Sequence, residues 1–413
     1  MASLLRWATG LYRRAPLPPR SFANLRYETI PESLKIEEET LPDYLPQRFY
    51  PVRLGEVLAS RYQVVAKLGY GVTSTVWLAR DLNQHRHVAV KAFVRAAAMG
   101  SRLNHERNVY QRINNGPRSH PGRDAVRSLL DAFQLEGPDG EHQCLVHPPL
   151  WVNLQTFLDS NPVGRLPNPV LAVVLYRLFQ GLDYLHSECG IIHTDIKPDN
   201  IMFGFNDDSP LAEFEQAELD SPSPRKEVNG RVIYVTRQIP MPKSLGPPVL
   251  CDFGAAVFGD KLHDDDVQPD QYRCPEVILE IPWSYKIDVW NIGCLVWDLF
   301  EGGHLFHGTD PEHGVYRGRA HLAEMIALLG PPTPELINRG NLKAKFFSKS
   351  CEWKAGIEPL PPVSLEKLEM TLEGADKQLF LQLMKKLLQW APEDRMAPRE
   401  LIKDPWVVKH LFG

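Results

Sequence analysis

Three β-type runs between residues 62 and 93 constrain the fold of this chain more than any other feature of its sequence. They are the segments 62–67, 75–79 and 87–93, and all three are rich in valine and alanine. Residues typical of turns separate them, including Gly69 and Gly71 after the first run. Short strands with turns between them predict an antiparallel meander.

The rest of the chain changes in character from strand to helix. Residues 99–113 lose the alternation of a strand and predict a helix, and further strands are predicted near residues 128–135 and 143–146. After Pro148 the pattern is mainly helical, with an apolar helix predicted over residues 169–187. A small β-rich part with one main helix, followed by a larger helical part, predicts an α+β fold.

Bulk properties limit the classes of function. The chain has 413 residues, of which 43% are hydrophobic and 23% are charged, so it can bury a large core. Its net charge of -5 gives no basic excess for a phosphate backbone, so we expect a protein or nucleotide partner and no direct nucleic-acid binding. The six cysteines lack the paired spacing of zinc sites or small disulfide frameworks, which predicts free thiols. The apolar run up to Tyr176 ends at Arg177, so we expect a soluble protein without a membrane segment.

Two long stretches interrupt the predicted elements. Residues 206–247 are rich in proline, serine and charged residues, and residues 309–361 combine glycine and proline with short helical pieces. Connections of this length are usually functional insertions or disordered segments. We predict two insertions, and the sequence leaves open whether residues 206–247 are ordered.

The first 27 residues are basic and contain no acid before Glu28. On a helical wheel, the apolar residues Leu4, Trp7 and Leu11 share one side, while arginines lie opposite. An amphipathic, arginine-rich leader without acids is typical of a mitochondrial transit peptide. The alternative is a disordered basic tail, because the prolines from Pro16 onward exclude a long helix.

A glycine-bearing turn follows the first predicted strand. Gly69 and Gly71 lack a Cβ, so the backbone N–H groups of a tight hairpin can approach phosphate oxygens there. We predict a phosphate-binding hairpin, with a plain β-turn as the alternative. Its candidate nucleotide-binding residues are Leu68, Gly69, Tyr70, Gly71, Val72, Thr73, Ser74 and Val76.

Ala89 and Lys91 point to one face of the third predicted strand, because successive strand residues alternate between faces. Ala89 leaves room on that face for a flat adenine ring, and Lys91 can reach the α and β phosphates of a nucleotide. Glu106, in the helix predicted to follow, is the candidate partner that holds Lys91 in place. The alternative for a strand lysine is a solvated edge position.

Two strings of residues carry the strongest signal. They read IleIleHisThrAspIleLysProAspAsn at 191–200 and CysAspPheGly at 251–254. Phosphoryl transfer needs a carboxylate that orients the attacking hydroxyl and oxygen ligands for Mg²⁺. Asp195 is the candidate carboxylate, and Lys197 is the candidate for neutralising charge on the γ-phosphoryl group. The candidate metal ligands, both with oxygen-bearing side chains, are Asn200 and Asp252.

At these strings the chain resembles a eukaryotic protein kinase, from about Tyr50 to its end. The resemblance implies a two-lobed fold that binds ATP and Mg²⁺. It places an N-terminal extension at 1–48, an N-lobe at 49–147 and a C-lobe with both insertions at 148–413. The chain departs from the usual glycine loop at Ser74, where the third glycine of the family is expected.

The resemblance also implies supporting residues. Asp288, Trp290 and Gly293 match the helix that anchors the catalytic loop, and Arg395 is placed to pair with Glu276. These residues are expected to support the structure without taking part in the chemistry.

The segment between the lobes is expected to recognise adenine. His147 stands at the gatekeeper position, and prolines follow it. Because proline lacks only the N–H, Pro148 still offers its carbonyl and Leu150 its N–H to the ring.

Finer details resemble the SR-protein kinases of the CMGC group, which phosphorylate serines in Arg/Ser-rich segments of splicing factors. Thr194 stands where most kinases have arginine, TyrProValArgLeuGlyGluVal begins at Tyr50, and PhePheSerLys begins at Phe346. The resemblance implies a monomeric serine/threonine kinase of Arg/Ser-rich proteins in the cytoplasm and nucleus; the leader instead predicts mitochondria. Two alternatives remain open: a LAMMER-like CMGC kinase with other substrates, and a non-catalytic scaffold.

Two departures from the family bear on regulation and substrate. Thr194 cannot pair with a phosphorylated residue as arginine would, and residues 255–271 contain no serine or threonine, although Tyr272 remains directly after them. We therefore expect activity without phosphorylation of this segment. Ala320 and Ala327 stand where the family carries acids that dock Arg-rich substrates, with Glu324 between them. The substrate class stays open.

Overall fold

The computed structural model describes residues 15–22, 26–100 and 104–413, which form two compact units. Unit 1 consists of the described parts of Met1–Arg107, Ser128–Trp151 and Phe205–Leu245. Unit 2 consists of Asn108–Arg127, Val152–Gly204 and Gly246–Gly413. One unit is rich in strands and the other in helices, which confirms the predicted α+β fold.

The strands and the helices, each numbered in chain order, have the following bounds. The strands are β1 (Val57–Leu58), β2 (Tyr62–Gly71), β3 (Ser74–Asp81), β4 (Arg86–Phe93), β5 (Asp131–Gly137), β6 (Gly140–His147), β7 (Ile191–Ile192), β8 (Ile201–Phe205), β9 (Arg225–Val228), β10 (Arg231–Tyr234), β11 (Leu245–Leu250) and β12 (Val257–Phe258). The helices are α1 (Ala96–Met99), α2 (His105–Asn115), α3 (Leu154–Ser160), α4 (Asn168–Asp183), α5 (Ser209–Asp220), α6 (Pro275–Ile278), α7 (Lys286–Glu301), α8 (Gly318–Leu329), α9 (Pro334–Arg339), α10 (Lys343–Phe346), α11 (Leu365–Leu368), α12 (Gly374–Leu387), α13 (Pro398–Leu401) and α14 (Pro405–Phe412).

Unit 1 is built on a six-stranded antiparallel sheet with the strand order β1-β2-β3-β4-β6-β5. The predicted meander is confirmed as β2, β3 and β4, and Val90 of β4 pairs with Trp77 of β3. Val88 and Val90 are buried in the same apolar cluster as Trp77, because alternate residues of a strand share a face. Ala89 and Lys91 consequently lie on the opposite face of β4.

The single helix predicted over residues 99–113 is wrong at its start. Helix α1 ends at Met99, the first residue of the predicted helix, and α2 begins at His105, so the predicted start is six residues early. Gly100 follows α1 with a φ of 55°, a conformation that glycine adopts without the steric cost of a Cβ. The loss of strand alternation in the sequence signals helix but does not locate this break.

Most of residues 206–247, predicted as an insertion, form ordered structure within unit 1, and only residues 246 and 247 belong to unit 2. Helix α5 buries Leu211 and Phe214 in an apolar cluster with Leu78 of β3, and β9 and β10 form an antiparallel hairpin. The sequence-based division assigned this insertion to the C-lobe, whereas the contacts place Phe205–Leu245 in unit 1. That assignment followed the position of the insertion along the chain. It is wrong because the burial of apolar surface decides where a segment packs.

The N-terminal extension is also part of unit 1. Thr29 forms a parallel bridge with Arg225 of β9. The guanidinium of Arg225 lies 4.1 Å from the ring centroid of Tyr27, within the range of a cation–π contact. Residues 26–48 therefore pack on the inserted hairpin instead of forming a separate segment.

Helix α7 runs through the core of unit 2. Its residues from Ile287 to Phe300 are all buried. A Cβ at Gly293 would lie 2.6 Å from the side chain of Leu388, so glycine permits this close approach. The ring of Phe300 packs on Phe380 of α12, with centroids 4.6 Å apart. The helix that the resemblance named as an anchor is therefore fixed along its length.

Within residues 15–22, 26–100 and 104–413, no helix combines the length and apolar character needed to cross a membrane. The predicted leader lies largely outside the described residues, which exclude 1–14 and 23–25. Its described part contacts unit 1: the N–H of Leu17 donates to the carbonyl of Leu82 at 2.8 Å.

We expect the packing of α5 on the sheet to contribute strongly to the stability of unit 1. Phe214→Ala should lower the free energy of unfolding by about 3–5 kcal/mol, because it leaves a cavity in place of a buried ring. Gln216→Ala, on the exposed side of the same helix, should change it by less than about 0.5 kcal/mol. Urea denaturation of both variants measures this difference, and equally small changes would show that α5 does not pack on the sheet.

Candidate active site

The glycine-bearing turn lies at the end of the β2–β3 hairpin in unit 1. Gly71 pairs with Ser74, so Val72 and Thr73 form a two-residue turn. Val72 is exposed, and a Cβ added at Gly69 or Gly71 would meet no atom of the described chain within 4 Å. The turn presents its backbone to open space, as phosphate binding requires.

The other predicted residues of the hairpin occupy different environments. Leu68 packs against the apolar cluster that contains α5. The side chain of Tyr70 is partly exposed, and Val76 pairs with Lys91 across β3 and β4. The carbonyl of Thr73 accepts a backbone hydrogen bond, which anchors the turn to the end of β4.

Lys91 and Glu106 form the predicted ion pair. The Nζ of Lys91 lies 2.9 Å from each carboxylate oxygen of Glu106. Both side chains are largely buried, and Glu106 lies in the first turn of α2, where the helix dipole favours a negative charge. The lysine is thereby held on the face of β4 that also carries the buried Ala89.

The segment predicted to recognise adenine follows β6. His147 is buried, and its Nδ1 lies 2.9 Å from the carbonyl oxygen of Ser128. Pro148 has a carbonyl but no N–H, and the buried residue Leu150 keeps its N–H. The Nε1 of Trp151 donates at 2.9 Å to a carbonyl of the insertion, which fixes the end of the segment.

In unit 2, Asp195 has Asn200 and Lys197 as immediate neighbours. The Nδ2 of Asn200 donates to the Asp195 carbonyl at 2.8 Å and to its Oδ2 at 2.9 Å. The Nζ of Lys197 lies 3.0 Å from the same Oδ2, and the side chains of Asp195 and Lys197 are 26% and 33% exposed. An accessible carboxylate with a fixed orientation can accept a proton from a hydroxyl.

Asp288 fixes the backbone immediately before Asp195. Its buried carboxylate accepts from the N–H of His193 at 2.8 Å and from that of Thr194 at 2.9 Å. The Nε2 of His186 lies 2.9 Å from the same carboxylate. Thr194 has a φ of 68°, which is unfavourable for a β-branched residue. The bonds to Asp288 hold this strained conformation in place.

Asp252 is joined to the same loop through its neighbour. The N–H of Cys251 donates to the Asn200 carbonyl at 2.7 Å, and the Nε2 of His193 lies 3.0 Å from the Cys251 carbonyl. The Oδ1 of Asp252 accepts from the N–H of Gly254 at 3.1 Å. The structure thus brings together the two strings that the sequence singled out.

Residues 255–271 are held by hydrogen bonds that the sequence did not reveal. The Oγ1 of Thr194 donates at 2.9 Å to a backbone carbonyl of this segment. The Nε2 of Gln268 donates to the Ile287 carbonyl at 2.9 Å, and its Oε1 accepts from the N–H of Cys274 at 2.9 Å. Gln268 was missed because one glutamine in a polar segment forms no pattern.

Tyr272 follows this segment and carries the hydroxyl that the sequence left available for modification. It is buried, and its hydroxyl donates to the carboxylate of Asp298. Burial, together with the charge of Asp298, raises the pKa of Tyr272 far above its ordinary value. The hydroxyl is therefore closed to a modifying enzyme in this conformation.

Helix α8 buries both alanines at the predicted docking positions, Ala320 and Ala327. The carboxylate of Glu324, between them, accepts from the N–H of His307 at 2.7 Å and from that of Gly308 at 2.9 Å. Glu324 therefore stabilises the loop before the helix.

Comparison with known proteins agrees with this geometry. The protein kinase domain family matches residues 62–239 and 241–407. The chain belongs to the protein kinase family. A serine/threonine protein kinase of Aspergillus fumigatus is 42% identical over 400 residues, which cover 96% of this chain and 97% of that protein.

Two further relatives indicate which family of protein kinases the chain belongs to. The serine/threonine-protein kinase SRPK of Physarum polycephalum is 34% identical over 411 residues, covering 90% of this chain and 91% of that protein. The SRSF protein kinase 3 of Homo sapiens is 24% identical over 516 residues, covering 90% of each chain. These relatives confirm the prediction that this chain is a member of the SR-protein kinase family, which belongs to the CMGC group. The chain is a serine/threonine protein kinase with protein substrates, a class that uses ATP and Mg²⁺.

Proposed function

We propose that this kinase transfers the γ-phosphoryl group of ATP to serine and threonine hydroxyls, with Asp195 as the carboxylate that orients the hydroxyl and accepts its proton. The observation that supports this role is the position of Asp195 Oδ2, 2.9 Å from Asn200 Nδ2 and 3.0 Å from Lys197 Nζ. Lys197 lies close enough to Asp195 to neutralise charge on the transferred group.

Asn200 and Asp252 are the proposed ligands of Mg²⁺. Asn200 uses its Nδ2 for both bonds to Asp195, so its amide oxygen is the group that it offers to a cation. Asp252 is exposed and adds carboxylate oxygens. An all-oxygen donor set suits Mg²⁺, which when bound neutralises charge on the phosphates.

Unit 1 supplies the proposed nucleotide-binding groups. The N–H groups of the turn from Gly69 to Ser74 take the phosphates, since open space surrounds both glycines. Lys91, held by Glu106, takes the α and β phosphates. The carbonyl of Pro148 and the N–H of Leu150 take the edge of adenine.

Arg/Ser-rich proteins are the proposed substrates, as the names of two relatives suggest. A cavity of about 850 Å³ in unit 2 supports a site for arginine side chains. Its lining includes Glu312, which is ion-paired with Arg319, and the acids Glu324 and Glu358, with Ala320 and Lys354 beside them. Glu358 is exposed, so we propose that acids outside helix α8 supply part of the charge absent at the two alanine positions.

One transfer assay tests both the reaction and the substrate class. Asp195→Asn should lower kcat by about 100- to 10,000-fold, because it removes the proton acceptor, while the exposed control Glu188→Gln keeps kcat. An Arg/Ser peptide should be phosphorylated with a kcat/KM at least about tenfold above that of a generic basic peptide, a difference of about 1.4 kcal/mol.

Other outcomes of this assay separate the alternatives. Equal kcat/KM values for the two peptides would favour a CMGC kinase with other substrates. A natural chain that transfers no more phosphate than Asp195→Asn would favour the scaffold.

We also propose activity without phosphorylation of residues 255–272, which include Tyr272, since Gln268 and Thr194 order this segment with uncharged groups. Enzyme treated with phosphatase should keep its kcat, and Gln268→Ala should lower kcat because it leaves the Cys274 N–H unsatisfied. Mass spectrometry confirms that the treated segment carries no phosphate. Loss of activity together with loss of a phosphate from this segment would contradict the proposal.

We propose that the kinase is localised in the cytoplasm and nucleus. Arg20, which lies within the predicted leader, forms an ion pair with the buried Glu215 at 3.0 Å. Its N–H also donates to the Oε1 of Gln63 at 2.8 Å. Imaging of the tagged chain beside one lacking residues 2–14 should show the same distribution. A mitochondrial signal that is lost on deletion of residues 2–14 would instead show that the leader is a mitochondrial transit peptide.

A further inference from the structure

Lys67 lies two residues before Gly69, and its side chain is 0% exposed. Its ammonium group forms ion pairs with Glu38 and, at 3.3 Å, with Glu37. It also donates to the carbonyl of Tyr234 at 3.2 Å. A buried ammonium group is tolerated only when it is paired and hydrogen-bonded. The position of Lys67 therefore depends on the N-terminal extension and on the inserted hairpin.

The same ammonium group contacts the phosphate-binding turn. The Nζ of Lys67 lies 5.1 Å from the ring centroid of Tyr70, within the range of a cation–π contact. Tyr70 lies at the end of β2 between Gly69 and Gly71, two residues before Val72, where the turn begins. Because the neighbouring glycines give this part of the backbone extra conformational freedom, a contact at Tyr70 limits the movement of the turn.

The insertion reinforces this arrangement through its backbone. The N–H of Arg237 donates to the carbonyl of Lys67 at 3.1 Å. The N–H and Oγ1 of Thr236 donate to the Glu37 carboxylate at 2.9 and 2.6 Å. Extension, insertion and turn thus meet at one buried cation.

We propose that Lys67 is a positioning residue for ATP: held by Glu37 and Glu38, it keeps Tyr70 and the turn in the conformation that binds phosphate. The inference rests on the proposed role of the turn. Because ordering a loop in advance reduces the free-energy cost of binding, Lys67 acts on ATP affinity and leaves peptide binding unchanged.

Lys226 provides a matched control in the same unit. Its side chain is 1% exposed, and its Nζ lies 2.7 Å from Glu39 of the same extension. It donates to the carbonyls of Glu32 and Leu34 at 3.2 and 2.7 Å. Lys226 thus shares the burial and chemistry of Lys67, but these three partners of its ammonium group all belong to the extension.

The test measures kcat, the KM for ATP, the KM for peptide and the melting temperature of the full chain and its variants. Lys67→Met should raise the KM for ATP about tenfold and leave the KM for peptide unchanged, and Lys67→Arg should restore much of the ATP affinity. Lys226→Met should lower the melting temperature but leave the KM for ATP unchanged. If Lys67→Met does not fold, Glu38→Gln replaces it, because Glu38 pairs with Lys67. Glu39→Gln is then the control, because Glu39 pairs with Lys226.

The same KM for ATP in the Lys67 and Lys226 variants would overturn the inference. Gly71→Val, which places a side chain over the turn, separates this failure from failure of the proposed function. If Gly71→Val raises the KM for ATP and Lys67→Met does not, only the positioning role is wrong. If neither raises it, the turn does not bind the phosphates, and both proposals fail.

Discussion

The loop that carries Asp195 depends on one buried carboxylate. Asp288 accepts hydrogen bonds from the consecutive N–H groups of His193 and Thr194, and both residues precede Asp195 directly. A buried negative charge is costly unless donors satisfy it, so the carboxylate and the loop stabilise each other. Because Thr194 has a φ of 68°, the loop would relax to another path without these bonds. The geometry at Asn200 follows from this fixed path.

A comparable constraint organises unit 1, where two lysine side chains are almost fully buried. Lys67 and Lys226 take their carboxylate partners from the segment Glu37–Glu39 of the N-terminal extension. The carbonyl that completes the site of Lys67 belongs to Tyr234 of the insertion. If either the extension or the insertion left the sheet, a buried charge would lose its partner. An unpaired buried charge is strongly destabilising. Two segments remote in sequence are therefore integral to the unit that carries the glycine turn.

The sequence predicted those features whose signal is local. The meander, the pairing of Lys91 with Glu106 and the two strings at 191–200 and 251–254 depend on strand alternation and on spacing within short segments. The break after Met99 falls at Gly100, and the change from strand to helix pattern did not reveal the positive φ of that residue. The packing of Phe205–Leu245 in unit 1 could not be predicted, because it depends on contacts between residues far apart in the chain. Lys67 and Gln268 were missed for the same reason: each has partners that only the folded chain brings together.

The proposed function requires that oxygen atoms of Asn200 and Asp252 bind the Mg²⁺ that accompanies ATP. Isothermal titration calorimetry of ATP into the full chain, with Mg²⁺ and then with EDTA, measures this most directly. We expect ATP binding that weakens strongly without Mg²⁺ in the natural chain, and a much smaller dependence on Mg²⁺ in Asp252→Asn. ATP affinity that is independent of Mg²⁺, or the same in both proteins, would contradict it.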